Sequence, residues 1–188
     1  MLMNFVAIDF ETASNYRDVC ALGLVAVENG VIVSEKEWLI RPRCNFIGSF
    51  YEAVHGINYK MVVNKPYFDG IYDELKSLID GKTIIAHNVA FDVGVLKNVC
   101  TVYGLEQPEF IYGCTYRLAK RVIRPTVPSY SLSALADKYG LVLQHHNALS
   151  DARACANLML HFLQESEKSS VAEAYTAYNM KIGQMSKG

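Results

Sequence analysis

Two carboxylates stand two residues apart near the amino terminus, in Val6-Ala7-Ile8-Asp9-Phe10-Glu11-Thr12. Apart from those acids the segment is apolar and β-prone, so it reads as a buried strand. Residues i and i+2 of a strand share a face, which puts Asp9 and Glu11 together, opposite Ile8 and Phe10. Two like charges beside an apolar strand are costly unless something positive compensates them, and a divalent cation does so directly. The plainer alternative is a strand end that reaches water with both acids hydrated. Two more acids occupy places from which they can join the pair. Asp92 ends the run His87-Asn88-x-x-Phe91-Asp92, in the first turn of a helix. Asp151 falls in the first turns of the last long helix, five residues after His146. A helix dipole favours an acid at such places without any chemistry. Four acids at strand ends or helix starts, with a histidine beside the last, are less well explained by helix stabilisation alone.

The hydrophobic pattern supplies the elements that must position these groups. Residues 6–12, 19–28 and 31–40 read as three antiparallel strands, the last two joined by Asn29-Gly30, a strong hairpin signal. Residues 41–54 read as irregular, broken by Pro42 and Gly48. From Pro66, Phe68, Ile71, Tyr72, Leu75, Leu78 and Ile79 recur at helical spacing until Asp80-Gly81. A short strand at 83–86, a helix at 91–103 stopped by Gly104, a strand at 110–112 and a helix at 115–124 stopped by Pro125 follow. Ser131 caps a helix that ends at Gly140, residues 141–143 are briefly extended, and the last long helix begins near Ala148. Three meander strands followed by alternating helices and strands predict an α/β domain over residues 1–165. Its mixed five-stranded sheet has the first three strands antiparallel and helices packed on it. Ligand sites in such sheets lie beyond strand ends. Residues 166–188 read as a short tail with room for one extra helix.

Composition limits the function classes. Half of the 188 residues are apolar and the net charge is −1, which argues against both disorder and a strongly basic DNA-coating protein. No apolar run is long enough to span a bilayer, and no basic leader precedes the first strand, so a cytoplasmic protein is expected. The five cysteines include no CxxC and read as reduced thiols, which also disfavours a zinc site built on His87, His145 and His146.

Asp9-x-Glu11-Thr12, His87-Asn88-x-x-Phe91-Asp92 and His146-x-x-x-x-Asp151, in that order, resemble the three exonuclease motifs of the DEDDh family. The likeness is nearest to the proofreading epsilon subunit of bacterial DNA polymerase III and its small stand-alone relatives. Val54-His55-Gly56-Ile57, Ser131-Leu132-x-x-Leu135-Ala136 and the run from His146 to Ala152 add to it, so it covers roughly residues 5–163. The resemblance implies a ribonuclease-H-like fold and metal-dependent 3′-to-5′ exonuclease activity that releases nucleoside 5′-monophosphates. It implies that Asp9, Glu11, Asp92 and Asp151 hold two divalent ions, Mg²⁺ or Mn²⁺, and that His146 is the general base. The adjacent His145 lacks the family spacing to Asp151. The resemblance further implies that Thr12, Phe50, His55, Asn88 and Phe91 meet the terminal nucleotide, although Phe50 and Phe91 suit plain core packing equally. A single-stranded or frayed end is the implied substrate, with DNA ahead of RNA and a polymerase as a candidate partner. An enzyme trimming RNA or short oligonucleotides, or a non-catalytic nucleic-acid-binding module, are the alternatives.

One feature is read from spacing alone. Arg117, Lys120, Arg121 and Arg124 fall at i, i+3, i+4 and i+7, one face of a helix, and form a candidate phosphate track. A solvated helix face is the plainer reading.

Overall fold

The structure, a computed structural model, describes residues 3–15 and 17–186. It opens with β1 (Phe5–Thr12), β2 (Val19–Glu28) and β3 (Val31–Leu39). Asn29 and Gly30 both take positive φ, 55° and 79°, the turn geometry that matches strand twist and returns β2 as β3. Next come α1 (Ser49–His55), α2 (Tyr59–Val62), α3 (Asp69–Ile79), β4 (Thr83–Ala86), α4 (Ala90–Tyr103) and β5 (Phe110–Cys114). The chain continues through α5 (Thr115–Val122), α6 (Leu132–Tyr139), α7 (Ala148–Glu165), α8 (Val171–Ala177) and β6 (Gly183–Met185).

The strands form one mixed sheet in the order β3-β2-β1-β4-β5-β6. β1 pairs antiparallel with β2 and parallel with β4, β5 is parallel to β4, and β6 is antiparallel to β5. The sheet has six strands where the pattern predicts five. The sixth comes from the segment after α7, whose α8 packs Val171, Ala174 and Tyr175 into the core and whose Met185 is fully buried. Three residues, Gly183-Gln184-Met185, are too few to announce a strand by alternation, so the period gives no warning of β6. Within residues 41–54, expected to be irregular, the chain forms α1 (Ser49–His55), which buries no side chain and so lacks the apolar stripe that reveals a helix. α5 stops at Val122, two residues before the expected end: Arg124, which precedes Pro125, is disfavoured in the helical region, and the chain is already extended one residue earlier, at Ile123. Residues 141–143 join no strand.

Alternation along β1 divides the core. Val6, Ile8 and Phe10 face a layer made by α3 and α4, while Phe5 and Ala7 face one made by α5, α6, α7 and α8. Asp9 and Glu11 continue the second set, so the sheet aims both acids toward α7. Among the described residues no helix is long and apolar enough to cross a membrane.

Candidate active site

β1 carries its acids opposite small residues. Asp9 pairs across the ladder with Gly23 and Glu11 with Ala21. The space left at Gly23 is taken by the first turn of α7. A Cβ added there would lie 2.1 Å from the Ala148 carbonyl oxygen and 2.5 Å from the Leu149 nitrogen. Glycine therefore lets α7 press its amino-terminal backbone onto the sheet beside Asp9. Asn147 caps that turn by accepting from the Ser150 N–H at 2.9 Å, and Asp151 stands in the same turn.

Asp92 arrives from the other layer. β4 is four residues long and pairs with β1 only at Val6 and Ala7. Past its end Asn88 takes φ 68° and the chain enters α4. Phe10, beyond the reach of β4, donates its N–H to Asp92 Oδ1 at 3.1 Å. Asp92 thus replaces the missing ladder partner and is almost fully buried.

Ligand oxygens of Asp9, Glu11 and Asp151 lie within 4.8 Å of one another, and the buried Asp92 is near enough for its charge to act on Asp9 and Glu11. Burial, then the neighbouring charges of Asp92, Asp151 and Glu11, hold the Asp9 carboxyl well above the usual range. Burial, followed by Asp151 and Asp92, raises Glu11 to about 8. Burial raises Asp92 to about 8, with the Phe10 N–H opposing, and burial likewise raises Asp151. Asp151 Oδ1 is buried and, among the described residues, has no hydrogen-bond partner. Carboxylates that cannot all ionise together, with one oxygen aimed at nothing, suit a hard divalent cation.

Both neighbouring histidines reach this cluster. His146 takes φ 64° and donates its backbone N–H to Asp151 Oδ2 at 3.1 Å. His145 donates from Nδ1 to the same oxygen at 3.1 Å, and the two rings stack with centroids 3.9 Å apart. Burial, then His145, lowers the His146 pKa below its usual value, with Asp151 opposing.

A cavity of about 620 Å³ opens over the cluster. Thr12, Phe50, His55, Asn88 and Phe91 all line it. Phe50 is 72% exposed and Phe91 38%, so neither is a core residue. His55 spends both ring nitrogens on the protein. Nε2 donates to the Thr12 carbonyl at 3.1 Å and Nδ1 accepts from the Ile57 N–H, which leaves only the ring for a ligand. Sequence reasoning missed Tyr51, Tyr116 and the bracing function of His87. The His87 ring donates from Nε2 to the Tyr130 carbonyl at 3.1 Å and accepts at Nδ1 from the Thr115 hydroxyl at 2.9 Å. It ties the end of β4 to α5 and the 130 loop, and burial lowers its pKa to about 4. No local signal separates such a brace from a ligand. Arg117, Lys120 and Arg121 stand elsewhere, around a second cavity, while Arg124 folds back to donate to the Lys120 and Ile123 carbonyls.

The exonuclease family profile (RNase_T) matches residues 6–159. The chain is 32% identical over 182 residues to the PolC-type DNA polymerase III of Thermotoga petrophila, covering 94% of this chain and 13% of that protein. It is 32% identical over 168 residues to the 3′-5′ exonuclease DinG of Bacillus subtilis, covering 86% of this chain and 18% of that protein. The chain thus spans less than a fifth of these two relatives. It superposes on Exonuclease X, solved in complex with 5′ overhanging duplex DNA, with a TM-score of 0.73 and 28% identity, covering 93% of this chain and 98% of that one. With the acids of the three motifs gathered between β1, α4 and α7, the chain belongs to the exonuclease family, among its DEDDh 3′-to-5′ members.

Proposed function

We propose that this domain removes nucleoside 5′-monophosphates from the 3′ end of single-stranded or frayed DNA, with two divalent ions, Mg²⁺ or Mn²⁺, as cofactors. The observation that carries the reading is the convergence of Asp9, Glu11 and Asp151 within 4.8 Å, with Asp151 Oδ1 unpartnered. Asp92 completes the set with the oxygen that Phe10 does not engage. Ions held by these four residues supply charge stabilisation at the phosphate and the leaving oxygen and acidify the attacking water.

The chain's own groups do the rest. His146, neutral at pH 7 because its pKa is lowered, takes the water proton at a ring nitrogen. The N–H groups of His145 and His146 both hold Asp151 Oδ2, so Oδ1 keeps its direction. Thr12 and Asn88 border the terminal nucleotide, and the exposed rings of Phe50 and Phe91 offer stacking faces for its unpaired bases. A single end nucleotide enters the cavity beside these rings only once it is unpaired, which favours single-stranded and mismatched ends.

The PolC-type DNA polymerase III relative and Exonuclease X, solved with duplex DNA, support DNA as substrate. The PolC match supports a polymerase as partner. The five free cysteines suit the reducing cytoplasm. The test is release of mononucleotide from labelled single-stranded, duplex and mismatched DNA and from matched RNA, with Mg²⁺, Mn²⁺ or EDTA. Metal-dependent release from single-stranded and mismatched DNA is expected. Preference for RNA overturns the substrate assignment, and inertness on every strand with either metal overturns the enzyme.

A further inference from the structure

A second cavity, of about 510 Å³, lies between α5 and the segment that follows α8. Its lining is Arg117, Lys120, Arg121, Asn179, Met180 and Lys181. Four of those six residues are cationic and none is acidic, in a chain whose net charge is −1. All four cations are exposed, and none takes part in the ion pairs found among the described residues.

Helix stabilisation does not account for this grouping. Lys120 and Arg121 stand in the last turn of α5, where the dipole favours cations. Arg117 is in the first turn, where it does not. Lys181 belongs to another element altogether, 60 residues further along the chain from Arg121.

The fold fixes where Lys181 sits. Asn179 takes φ 53° and ends α8, with the Met180 N–H bonded to the Tyr175 carbonyl at 2.8 Å. Two residues past Lys181, β6 joins the edge of the sheet beside β5. The Tyr175 hydroxyl donates to the carbonyl of Cys114, the residue that precedes α5, at 3.1 Å. Lys181 is therefore held on both sides and across from α5.

The same helix also borders the active site. Tyr116 lines the catalytic cavity, and the Lys120 ammonium lies 4.2 Å from the centre of its ring. Tyr116 and Lys120 thus link the lining of the catalytic cavity to that of the basic one.

We propose that Arg117, Lys120, Arg121 and Lys181 form a phosphate cradle for the nucleic-acid backbone away from the cleaved bond. It rests on the nucleic-acid reading of the catalytic cavity. The cradle binds through charge, so it adds affinity for long strands without reading their sequence.

The experiment compares the wild type with an Arg121→Ala, Lys181→Ala double variant. One substrate is a long single strand and the other is the p-nitrophenyl ester of thymidine 5′-monophosphate, which ends at the active site. On the long strand the variant is expected to raise KM about tenfold or more and to flatten the plot of log kcat/KM against log salt by about 1.4, roughly 0.7 for each lost phosphate contact. Hydrolysis of the small ester and the Tm, since both side chains are exposed, are expected to stay at wild-type values. An unchanged KM and salt slope on the long strand overturn the cradle and leave an acidic protein surface as the occupant to test. An equal loss on both substrates also overturns it. A wild type inactive on both substrates overturns instead the catalytic reading on which the cradle depends.

Discussion

Gly23→Ala is expected to disable the site from outside it. Gly23 holds no ligand. It lies on β2, directly across the ladder from Asp9, and α7 rests on it. The new methyl would start 2.1 Å from the Ala148 carbonyl oxygen, so reaching an ordinary contact of 3.4 Å needs a retreat of about 1.3 Å. Both partners are main chain, and no flexible side chain can yield. The first turn of α7 must lift, carrying Asp151 away from Asp9 and Glu11. Ligand distances at a divalent ion tolerate only about 0.2 Å, so this displacement opens the site. A misplacement of about 1 Å costs on the order of 10²-fold in rate. Overpacking costs about 1–3 kcal/mol, and in a domain of this size each kcal/mol lowers Tm by about 2–4 °C. The assay is kcat on single-stranded DNA together with a Mn²⁺ titration, both run well below the variant's Tm. Gly104→Ala serves as control. Gly104 ends α4 at φ 66° with nothing within 4 Å of an added Cβ, so the variant loses stability through backbone strain and keeps its kcat. If Gly23→Ala keeps wild-type kcat and Mn²⁺ affinity, the contact of α7 with Gly23 does not position Asp151.

Three further outcomes follow from the crowded carboxylates and the histidine beside them. Glu11 has a folded pKa of about 8 against an ordinary 4.5, so between those values the folded state keeps a proton that the unfolded chain has lost. The stability it contributes is present in full below 4.5 and is lost as pH rises through 8. Tm measured in EDTA is therefore expected to fall across that window, and added Mn²⁺ to raise Tm more at its upper end than at its lower. A flat Tm profile in EDTA contradicts the crowding. Asp92→Asn keeps an acceptor for the Phe10 N–H and removes a buried charge, so it is expected to raise Tm in EDTA at about pH 8 while lowering metal-dependent release by about 10²-fold or more. A Tm in EDTA that falls would show that the carboxylate itself stabilises the fold. His146→Ala is expected to lower kcat by about 10²–10⁴-fold and to erase the acid limb of the pH–rate profile, which in the wild type lies below the usual histidine value of about 6.5. Retention of that limb in the variant would assign it to another group.

What the sequence reveals about this site depends on how local the determining physics is. The spacing of Asp9 and Glu11 fixes their common face, because alternation is a property of the strand itself. Ser131 and Gly140 mark the two ends of α6 because caps are satisfied within a turn. The sixth strand is different. Gly183–Met185 is a strand only because β5 offers a free edge, a fact set by the whole sheet. α1 escapes for a related reason. It buries nothing, and its rings are left for the cavity, so no apolar stripe betrays it. Histidines divide along the same line. His55, His87, His145 and His146 are one residue type at four places along the catalytic cavity. Only long-range contacts distinguish the clamp on Thr12 from the brace on Thr115 and Tyr130 and from the pair bonded to Asp151. Gly23 is the sharpest case. In the sequence it is a glycine inside an apolar strand, a weakness by propensity. In the fold, its missing side chain is the space through which α7 brings the fourth acid to the first two. A site whose ligands come from three elements is written locally in those ligands, and non-locally in the vacancies that let the elements meet.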